Sequence, residues 1–269
     1  MVRGALVALA VAALVAGCGG AAASVTTVKQ LRQFRILFPE GFTRAEMAAR
    51  VAAVSKIAEQ EGHQRVKLSA RTYRAATLPR AIPGFGANKL QMEGFLFPNT
   101  YDFDKTSTAA DLVQNQLETF KTEWGKVDMS YARSKNLTPY DVLKIASMIQ
   151  AEVAVPSENK LVAAVIYNRL RDHMNLGFDS TLHYGLHLGP NQDLTASDLA
   201  SNNPYNTRKF PGLPPTPIDN PGLAAINAAA HPANVGYTYF LGIPHSKRLY
   251  FTSSSQDFYN HEVQYGYAP

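Results

Sequence analysis

The 269-residue sequence contains a single cysteine, and this scarcity excludes several kinds of site. One cysteine cannot form a disulfide within the chain, so a disulfide-stapled fold is excluded. It also cannot build a cysteine-based zinc site or an iron–sulfur cluster. Charged residues are sparse at 17%, and a net charge of +5 is far below the basic footprint of a nucleic-acid-binding domain. We therefore expect no nucleic-acid partner.

Several catalytic motifs are also missing. The sequence has no G-x-S-x-G elbow, no H-E-x-x-H pair and no glycine-rich phosphate loop. Residues 157–160 match S-x-x-K, a motif of penicillin-recognising acyl-serine enzymes, but no K-T-G or K-S-G follows. A helix cap explains Ser157 better. His183 and His187 are four residues apart, but Gly185 between them argues against a ligand-bearing helix, and we expect neither a metal nor a cofactor.

The sequence does contain an apolar segment at its beginning. Arg3 precedes an unbroken apolar run over residues 5–16, and the small residue Gly17 and then Cys18 follow. The run matches a secretory signal and is shorter than the roughly 20 residues that span a bilayer. Residues 15–18 also resemble a lipobox, in which Cys18 becomes the lipidated first residue. A lipoprotein signal, a plain signal or a membrane anchor would each place the protein outside the cytoplasmic membrane. We expect it in the cell envelope, at the outer face of the cytoplasmic membrane, as a lipoprotein or with a single N-terminal anchor. The alternative is an alanine-rich buried helix or a misassigned start.

The remaining sequence mixes signals for helices and strands, which predicts an α+β fold. N-cap residues mark the helix starts, and the last two strands flank a turn, as in a hairpin. The predicted elements are strands at 34–38, 237–241 and 249–252 and helices beginning at Thr43, Thr108, Thr138 and Ser157. Residues 189–222 are rich in proline, asparagine and glycine, and such a long irregular segment is often functional.

Glu152 breaks the pattern of the helix that begins at Thr138. It lies three residues after Ile149 and seven after Ile145, so it shares their apolar face. A carboxylate there is costly unless it is paired or its pKa rises, and a raised pKa keeps the acid protonated nearer neutrality. That is the profile of a general acid that cleaves a glycosidic bond. The alternative is that Glu152 ends the helix and forms a salt bridge with an arginine such as Arg169.

Three segments around Glu152 have the composition of a saccharide groove. Residues 92–101, 167–170 and 178–185 combine aromatic rings with amides, hydroxyls and charged groups. Rings stack on the apolar faces of sugars, while Asn, Asp and Arg hydrogen-bond their hydroxyl and acetamido groups. This composition favours the general-acid interpretation of Glu152 over the salt-bridge alternative.

A series of ordered sequence blocks between Ile36 and His261 is more specific than any single motif. The blocks are residues 38–43 (FPEGFT), 93–101 (EGFLFPNTY), 146–152 (ASMIQAE), 165–170 (VIYNRL), 179–181 with 184–185 (DST, YG), 204–207 (PYNT), 212–218 (GLPPTPI), 229–233 (AAHPA) and 237–240 (YTYF). Together they resemble the endolytic murein transglycosylase (YceG-like) family, envelope enzymes that cut nascent peptidoglycan strands.

The resemblance implies that Glu152 is the catalytic acid of a non-hydrolytic reaction. Glu152 would protonate the oxygen between N-acetylmuramic acid and N-acetylglucosamine, and the muramyl 6-hydroxyl would attack to leave a 1,6-anhydro end. The anion of Glu152 would take the proton of that hydroxyl. The implied partners are peptidoglycan strands, with cell-wall synthases as a further candidate. The substrate-binding residues expected are Glu93, Tyr101, Gln150, Tyr167, Asn168, Arg169, Asp179, Tyr184, Tyr205 and Asn206.

One departure from the family pattern bears on the site, and another bears on the domains. The family commonly has an acid where this chain has Gln150, which supports Glu152 as the functional acid. The family usually carries a longer LysM-like region, so we expect a signal, lipobox or anchor with its linker at 1–24, a truncated LysM-like region at 25–90 and a YceG-like catalytic domain at 91–269. The rival functions are a non-catalytic peptidoglycan-binding envelope lipoprotein, an acyl-serine enzyme using Ser157, and a structural partner of cell-wall synthesis.

Overall fold

The structure, a computed structural model, describes residues 32–189 and 192–267. The apolar run at 5–16 and Cys18, on which the signal and lipobox predictions depend, lie outside these ranges. Among the helices of the two described ranges, none has the length and hydrophobicity that a membrane span requires. From Arg32 onward the chain forms one compact unit.

Helices dominate the described ranges, and the strands form two small sheets. The strands are β1 (Phe34–Leu37), β2 (Thr100–Phe103), β3 (Tyr239–Gly242) and β4 (Leu249–Thr252). The helices are α1 (Arg44–Gly62), α2 (Ala70–Ala76), α3 (Ala109–Trp124), α4 (Ser130–Ser134), α5 (Pro139–Glu152), α6 (Asn159–Arg171), α7 (Asp179–Leu186), α8 (Ala196–Leu199), α9 (Leu223–Ala230) and α10 (Ser255–Tyr265). The predicted α+β class is confirmed.

Capping boxes explain where three of the long helices begin. Thr43, Thr108 and Thr138 each accept a hydrogen bond from the backbone N–H three residues later. The acidic side chain at that later position accepts one in return from the backbone N–H of the cap residue, so two otherwise unpaired amides are satisfied. The predicted starts of α1, α3 and α5 are confirmed.

The predicted helix cap at Ser157 was wrong. Ser157 lies exposed in a single 3-10 turn, Pro156–Glu158, and α6 begins only after that turn. Glu158 occupies the cap position instead, and its carboxylate is held by Arg248 and by the backbone N–H of Leu249 at 3.1 Å. Pro156 begins the 3-10 turn, and no side chain, that of Ser157 included, caps the start of α6.

Gly185 does not interrupt the helix, since α7 runs through it. The glycine is needed for packing: a Cβ at this position would lie 2.6 Å from the Cβ of Tyr205 and 2.4 Å from the Oδ1 of Asn203. The segment 189–222 is less irregular than expected, since it includes α8. Its remainder crosses the surface of α7 and α5 and contributes to the site described below.

The two sheets are antiparallel pairs. In β1–β2, Phe34 lies opposite Phe103 and Leu37 opposite Thr100, while β3 and β4 form the predicted C-terminal hairpin. Because β1 precedes residue 90 and β2 follows it, this pairing crosses the expected boundary between the LysM-like region and the catalytic domain. That division stays a prediction, and the described ranges do not show a LysM-like subdomain.

The core is centred on α5, which packs against α6 and α9. Ile145 and Ile149 of α5 are fully buried, and α9 meets them with small residues such as Ala225 and Ala229. Short side chains on α9 allow the two helix backbones to approach closely, since no bulky group separates them. This packing fixes the C-terminal end of α5, where Glu152 lies.

Candidate active site

Glu152 lies in a cleft of about 940 Å³ whose walls come from five stretches of chain. The lining residues are Gly41, Thr43, Arg44, Ala45, Glu46, Gln91, Glu93, Gln150, Ala151, Glu152, Asp179, Ser180, His183, Tyr184, His187, Leu188, Gly189, Tyr205, Thr216, Ile218 and Asp219. The cleft therefore combines the start of α1, the end of α5, much of α7 and two loops. A volume of this size lies in the range of ligand-binding clefts.

The end of α5 places Glu152 in an environment that favours its neutral form. Glu152 is the last residue of the helix, half-buried in the cleft wall. Burial raises the pKa of its carboxyl group, and the nearby carboxylate of Asp179 adds to that rise. The hydroxyl and backbone N–H of Ser180, in the first turn of α7, act in the opposite direction, as does His183. The raised pKa agrees with the prediction from the apolar face of the helix.

The alternative salt bridge between Glu152 and Arg169 does not form. The guanidinium group of Arg169 donates instead to the backbone carbonyl groups of Thr238 and Leu176, and it stacks over the ring of Tyr239 at 5.3 Å. Arg169 therefore joins the end of α6 to the C-terminal hairpin. Among the residues that the structure describes, Glu152 takes part in no ion pair.

Asp179 and Arg208 form an ion pair beside Glu152. The Nε atom of Arg208 donates to Oδ1 of Asp179 at 2.6 Å, and both side chains are about half exposed. The hydrogen bond to Asp179 raises the pKa of Arg208, with a smaller contribution from Glu152. Arg208 thus pairs with Asp179, and the negative charge of Asp179 disfavours a second anion at Glu152.

Glu93 is the most enclosed glutamate of the cleft, with only 4% of its surface exposed. Its Oε1 accepts from the backbone N–H of Arg44 and from Nδ2 of Asn220, both at 2.8 Å, and its Oε2 accepts from the hydroxyl of Tyr184 at 3.1 Å. Burial raises the pKa of Glu93 to about 7, although these donors and the charge of Arg44 partly oppose the rise. Glu93 therefore titrates near neutrality.

The side-chain amide of Asn220 forms hydrogen bonds with segments on several sides of the cleft. Its Oδ1 accepts from the backbone N–H groups of Gly94 and Leu96, both at 2.9 Å. Its Nδ2 donates to the carbonyl of Phe42 and to Glu93, both at 2.8 Å. All the hydrogen-bonding capacity of one buried amide is thus used to hold residues that are far apart in sequence.

Two of the predicted tyrosines and one glutamine lie in the cleft wall. The rings of Tyr184 and Tyr205 meet edge to face at 5.2 Å, and the hydroxyl of Tyr205 is hydrogen-bonded to that of Thr216 at 2.7 Å. Gln150 lines the cleft two residues before Glu152, and its Oε1 accepts from the backbone N–H of Gly222 at 3.0 Å. With Glu93, Asp179 and Glu152, six of the predicted site residues therefore line one cleft.

The other five predicted site residues hold the fold together and do not line this cleft. Tyr101 is in the core on β2 and donates to the carbonyl of Phe97 at 2.8 Å. Tyr167 donates to Ala229, Asn168 to Val235 and Tyr237, and Asn206 to Leu199 and Ser201, in each case to backbone carbonyl groups. Arg169 bonds the hairpin as described above. Their polar groups satisfy the backbone of irregular segments, which a short sequence motif cannot distinguish from ligand binding.

The cleft also contains residues that the sequence did not single out as functional. Arg44 and Glu46 come from the first turn of α1, and His183 and His187 face the cleft from α7 and its C-terminal end. Asp219 is buried among them. Nothing in the hydrophobic pattern marks Asp219, because it lies in an irregular proline-rich loop and enters the cleft only through tertiary packing. In the described ranges, no group of three His, Cys, Asp or Glu residues is placed to hold a metal ion.

Comparison with known proteins identifies the family. Residues 10–264 match the model of the YceG-like family. The chain belongs to the YceG-like family. Its fold is similar to that of a solved YceG-like protein from Listeria monocytogenes, with a TM-score of 0.68 and 25% sequence identity over 84% of this chain and 75% of the other.

Two curated relatives in this family carry a functional name. The endolytic murein transglycosylase of Bacillus subtilis (strain 168) is 32% identical over 224 residues, which cover 77% of this chain and 59% of the relative. That of Streptococcus pneumoniae serotype 2 (strain D39 / NCTC 7466) is 29% identical over 243 residues, which cover 82% of this chain and 43% of the relative. The chain thus spans about half the length of these YceG-like relatives.

Proposed function

We propose that this YceG-like protein is an endolytic lytic transglycosylase of peptidoglycan, with Glu152 as its catalytic acid. The observation that carries the proposal is the position of Glu152, a half-buried carboxyl group with a raised pKa in the wall of a cleft of about 940 Å³. A protonated carboxyl in such a place can donate its proton to a leaving oxygen. The functional name of the curated relatives supports the same substrate class.

The proposed reaction needs only one acid. Glu152 donates its proton to the oxygen that bridges N-acetylmuramic acid and N-acetylglucosamine, and the bond from that oxygen to the muramyl C1 breaks. The 6-hydroxyl of the same muramyl residue attacks C1, and the Glu152 anion accepts the hydroxyl proton. The product is a 1,6-anhydro end, and Glu152 returns to its starting form, so a second carboxylate that activates water is not required.

Asp179 has a supporting role in this scheme. Its carboxylate raises the pKa of Glu152, which favours the proton-donating form. The Nε atom of Arg208 lies 2.6 Å from Oδ1 of Asp179, and this ion pair orients the carboxylate of Asp179 beside Glu152. A fixed negative charge beside the acid would also stabilise the positive charge that develops at C1 in the transition state.

The location in the cell follows from the substrate. Peptidoglycan lies outside the cytoplasmic membrane, and residues 15–18 resemble a lipobox. We propose that the protein acts in the cell envelope, held at the outer face of the cytoplasmic membrane through its N-terminus. Its substrate there would be nascent strands leaving the cell-wall synthases, which are the proposed protein partners.

The substitution Glu152→Gln tests the assignment. The glutamine keeps the shape of the side chain but has no acidic proton, so we expect the release of 1,6-anhydro-muropeptides from sacculi to fall at least about 100-fold. Mass spectrometry of the digests measures this product. The matched control is Glu118→Gln on the exposed face of α3, which should digest sacculi like the wild type.

Two outcomes would contradict the proposal. Undiminished anhydro products from Glu152→Gln would remove Glu152 as the acid. Wild-type protein that binds sacculi but releases no fragments would instead favour the non-catalytic binding lipoprotein. Thermal unfolding of each variant shows whether a loss of product reflects a loss of fold.

A further inference from the structure

The positive charge of the chain is concentrated in one segment, residues 62–90, which contains α2. Six of the 26 Lys and Arg residues lie in this segment, and none of the 21 Asp and Glu residues does. The remaining 20 cations are outnumbered by the 21 acids, so the rest of the chain is slightly negative. A concentration of one sign of charge on a small part of the surface attracts partners of the opposite sign.

Four cations and one leucine of this segment form a surface that we call the α2 patch. Its members are Arg71, Arg74, Leu78, Arg80 and Lys89. Arg71 and Arg74 are exposed on either side of Tyr73, whose buried ring packs α2 onto the core. Within the described residues, none of the four cations takes part in an ion pair. Their charges are therefore available to a partner.

The other two cations of the segment, Arg65 and Lys67, lie closer to acidic groups. The carboxylate of Glu59 accepts from the backbone N–H of Val66 at 3.1 Å, and the charge of Lys67 contributes to a lowered pKa of Asp111. The positive charge without acidic neighbours is therefore strongest from α2 onward, and we leave Arg65 and Lys67 out of the patch.

Backbone pairing brings Arg80 and Lys89 together near the C-terminal end of α2. Arg80 and Leu90 exchange two backbone hydrogen bonds, at 3.1 and 2.9 Å, so Lys89 lies beside Arg80. Phe85, in the loop between them, packs edge to face on a core phenylalanine with ring centres 4.9 Å apart. The loop that carries Lys89 is thus attached to the core, and the patch has a fixed shape.

Leu78 is the apolar member of the patch. Its surface is 60% exposed, the highest value among the exposed large hydrophobic residues that the structure describes. A soluble polyanion has nothing to cover such a side chain, whereas the interface of a bilayer takes up apolar side chains among its headgroups. Cations around an exposed apolar group are typical of surfaces that bind anionic membranes.

The α2 patch borders the cleft. The guanidinium group of Arg44, in the cleft wall, donates to the hydroxyl and the carbonyl of Thr77 at 3.3 and 3.5 Å, and Thr77 is the C-cap of α2. Gln91, two residues after Lys89, also lines the cleft. A partner that binds the patch would therefore lie close to the cleft.

We propose that the α2 patch docks on a bilayer surface that carries anionic lipids, with its four cations at the phosphate groups and Leu78 between the headgroups. Soluble polyanions share the charge complementarity, and Leu78 is the feature that favours a bilayer over them. The inference goes beyond the proposed function, because it requires neither Glu152 nor attachment through the N-terminus. Docking in this way holds the cleft at the membrane surface.

The test measures how strongly the full chain binds vesicles of phosphatidylcholine, with and without added phosphatidylglycerol, by co-sedimentation over a lipid titration. The apolar run at 5–16 is present in every variant, so its contribution cancels in the ratio of the two partition coefficients. We expect binding to be at least about 30-fold tighter with phosphatidylglycerol at low salt, because each cation at an anionic surface contributes several-fold. The ratio should approach one at about 1 M salt, where the charges are screened.

The double substitution Arg71→Gln with Arg74→Gln should lower this ratio about ten-fold. The matched control is Lys121→Gln with Arg133→Gln, which removes two exposed cations from α3 and α4 and should keep the wild-type ratio. Both variants lose the same net charge, so a difference between them reports where the charge lies. Thermal unfolding checks that each variant is folded.

The substitution Leu78→Ser tests the apolar contact. We expect it to weaken binding to the phosphatidylglycerol vesicles about five-fold, because the serine has no apolar surface to bury, and to leave binding to heparin, a soluble polyanion, unchanged. Val263→Ser on α10, at a residue that is 44% exposed, is the matched control and should bind vesicles like the wild type.

Three results would overturn the docking surface: a ratio near one for the wild type, an equal fall of the ratio in both double variants, or vesicle binding that Leu78→Ser does not change. The last result together with tight binding to heparin would replace the bilayer with a soluble anionic polymer. None of these measurements needs turnover. Vesicle binding as expected without anhydro product would keep the patch and remove the reaction, and the reverse result would do the opposite.

Discussion

At the scale of single residues, three carboxyl groups of the cleft differ in what surrounds them. Glu152 faces the first turn of α7 and the carboxylate of Asp179, Glu93 is enclosed by hydrogen-bond donors, and Asp219 has an oxygen with no partner among the described residues. All three pKa values are raised, with burial as the largest cause. Of the three, only Glu152 has a part in the proposed proton transfer.

The pH dependence of activity reports on Glu152. Only its protonated form can donate to the glycosidic oxygen, and its pKa lies above the ordinary value of 4.5. We therefore expect kcat/KM for anhydro product to fall as pH rises through the pKa of Glu152 in the free enzyme. Rates measured between pH 5 and about pH 8 at constant ionic strength check this. A flat profile would contradict the raised pKa while leaving the identity of the acid untouched.

Glu93 predicts a pH dependence of stability. The unfolded chain loses the proton of this residue near pH 4.5, whereas the folded protein keeps it until about pH 7. The free energy of unfolding should therefore fall between these two pH values and level off above them. A difference in pKa of that size corresponds to about 3 kcal/mol.

The substitution Glu93→Gln isolates this contribution, since glutamine keeps the Oε1 acceptor and cannot ionise. Urea unfolding at about pH 4 and about pH 8 should show a smaller loss of stability in Glu93→Gln than in the wild type. Glu118→Gln is exposed and should follow the wild type. If Glu93→Gln and the wild type lost the same free energy of unfolding between these two pH values, the carboxyl of Glu93 would have to be solvated in the folded protein.

At the scale of elements, α5 carries the proposed catalytic acid at one end and depends on a capping box at the other. Replacing Thr138 by alanine removes the side-chain acceptor for the N–H of Asp141. We expect Thr138→Ala to lower the free energy of unfolding by about 1 kcal/mol and to leave the pH profile of activity unchanged. Urea unfolding and rate measurements test the two parts separately.

The control for this prediction is Thr195→Ala, which removes the same box from α8. That helix has four residues and none of them is buried, so the core does not depend on it. The substitution should therefore cost less than Thr138→Ala. An equal cost at both caps would show that the loss is local to the cap and unrelated to the packing of α5.

The elements that sequence alone predicts well are those whose signal is local. The caps at Thr43, Thr108 and Thr138 and the C-terminal hairpin depend on residues a few positions apart, and the structure confirms them. Glu152 could be found because a carboxylate on an apolar helix face is visible in the sequence. α7 runs through Gly185 despite the low helix propensity of glycine, and the close approach of Tyr205 leaves no room for a side chain there.

The parts of the site that sequence alone did not predict depend on distant contacts. Asn168 and Arg169 belong to a motif typical of ligand binding, yet they bond the backbone near residues 235–238. Asp219 and Arg44 lie in the cleft because separate loops meet there. No local pattern shows which polar residue of a loop will face a ligand and which will satisfy a neighbouring carbonyl group.

At the scale of the whole molecule, the described residues share one core across the expected boundary at residue 90. Tyr73 donates to the buried Gln116 at 2.7 Å, and Phe38 packs against Tyr101 with ring centres 6.1 Å apart. β1 is the only partner of β2 in the described sheets. Removing the segment before residue 91 would therefore expose apolar rings and leave Gln116 without its hydroxyl partner.

We predict that a chain of residues 91–269 does not unfold cooperatively, whereas a chain of residues 32–269 does so in a single transition. Circular dichroism during urea titration measures both. A separate cooperative transition in the shorter chain would contradict the shared core and would support an independent catalytic domain that begins at residue 91.

The hydrogen bonds of the Asn220 amide also bear on the stage of folding at which the cleft forms. The amide joins residues 42, 93 and 220, so the walls of the site close over a separation of 178 positions in the chain. Contacts between such distant segments form slowly, because long loops must be ordered before any of them is made. A chain that leaves the cytoplasm with its N-terminus first therefore has no finished cleft until residue 220 has followed. On the proposed route of export, the cleft is therefore completed late, on the side of the membrane where the proposed substrate lies.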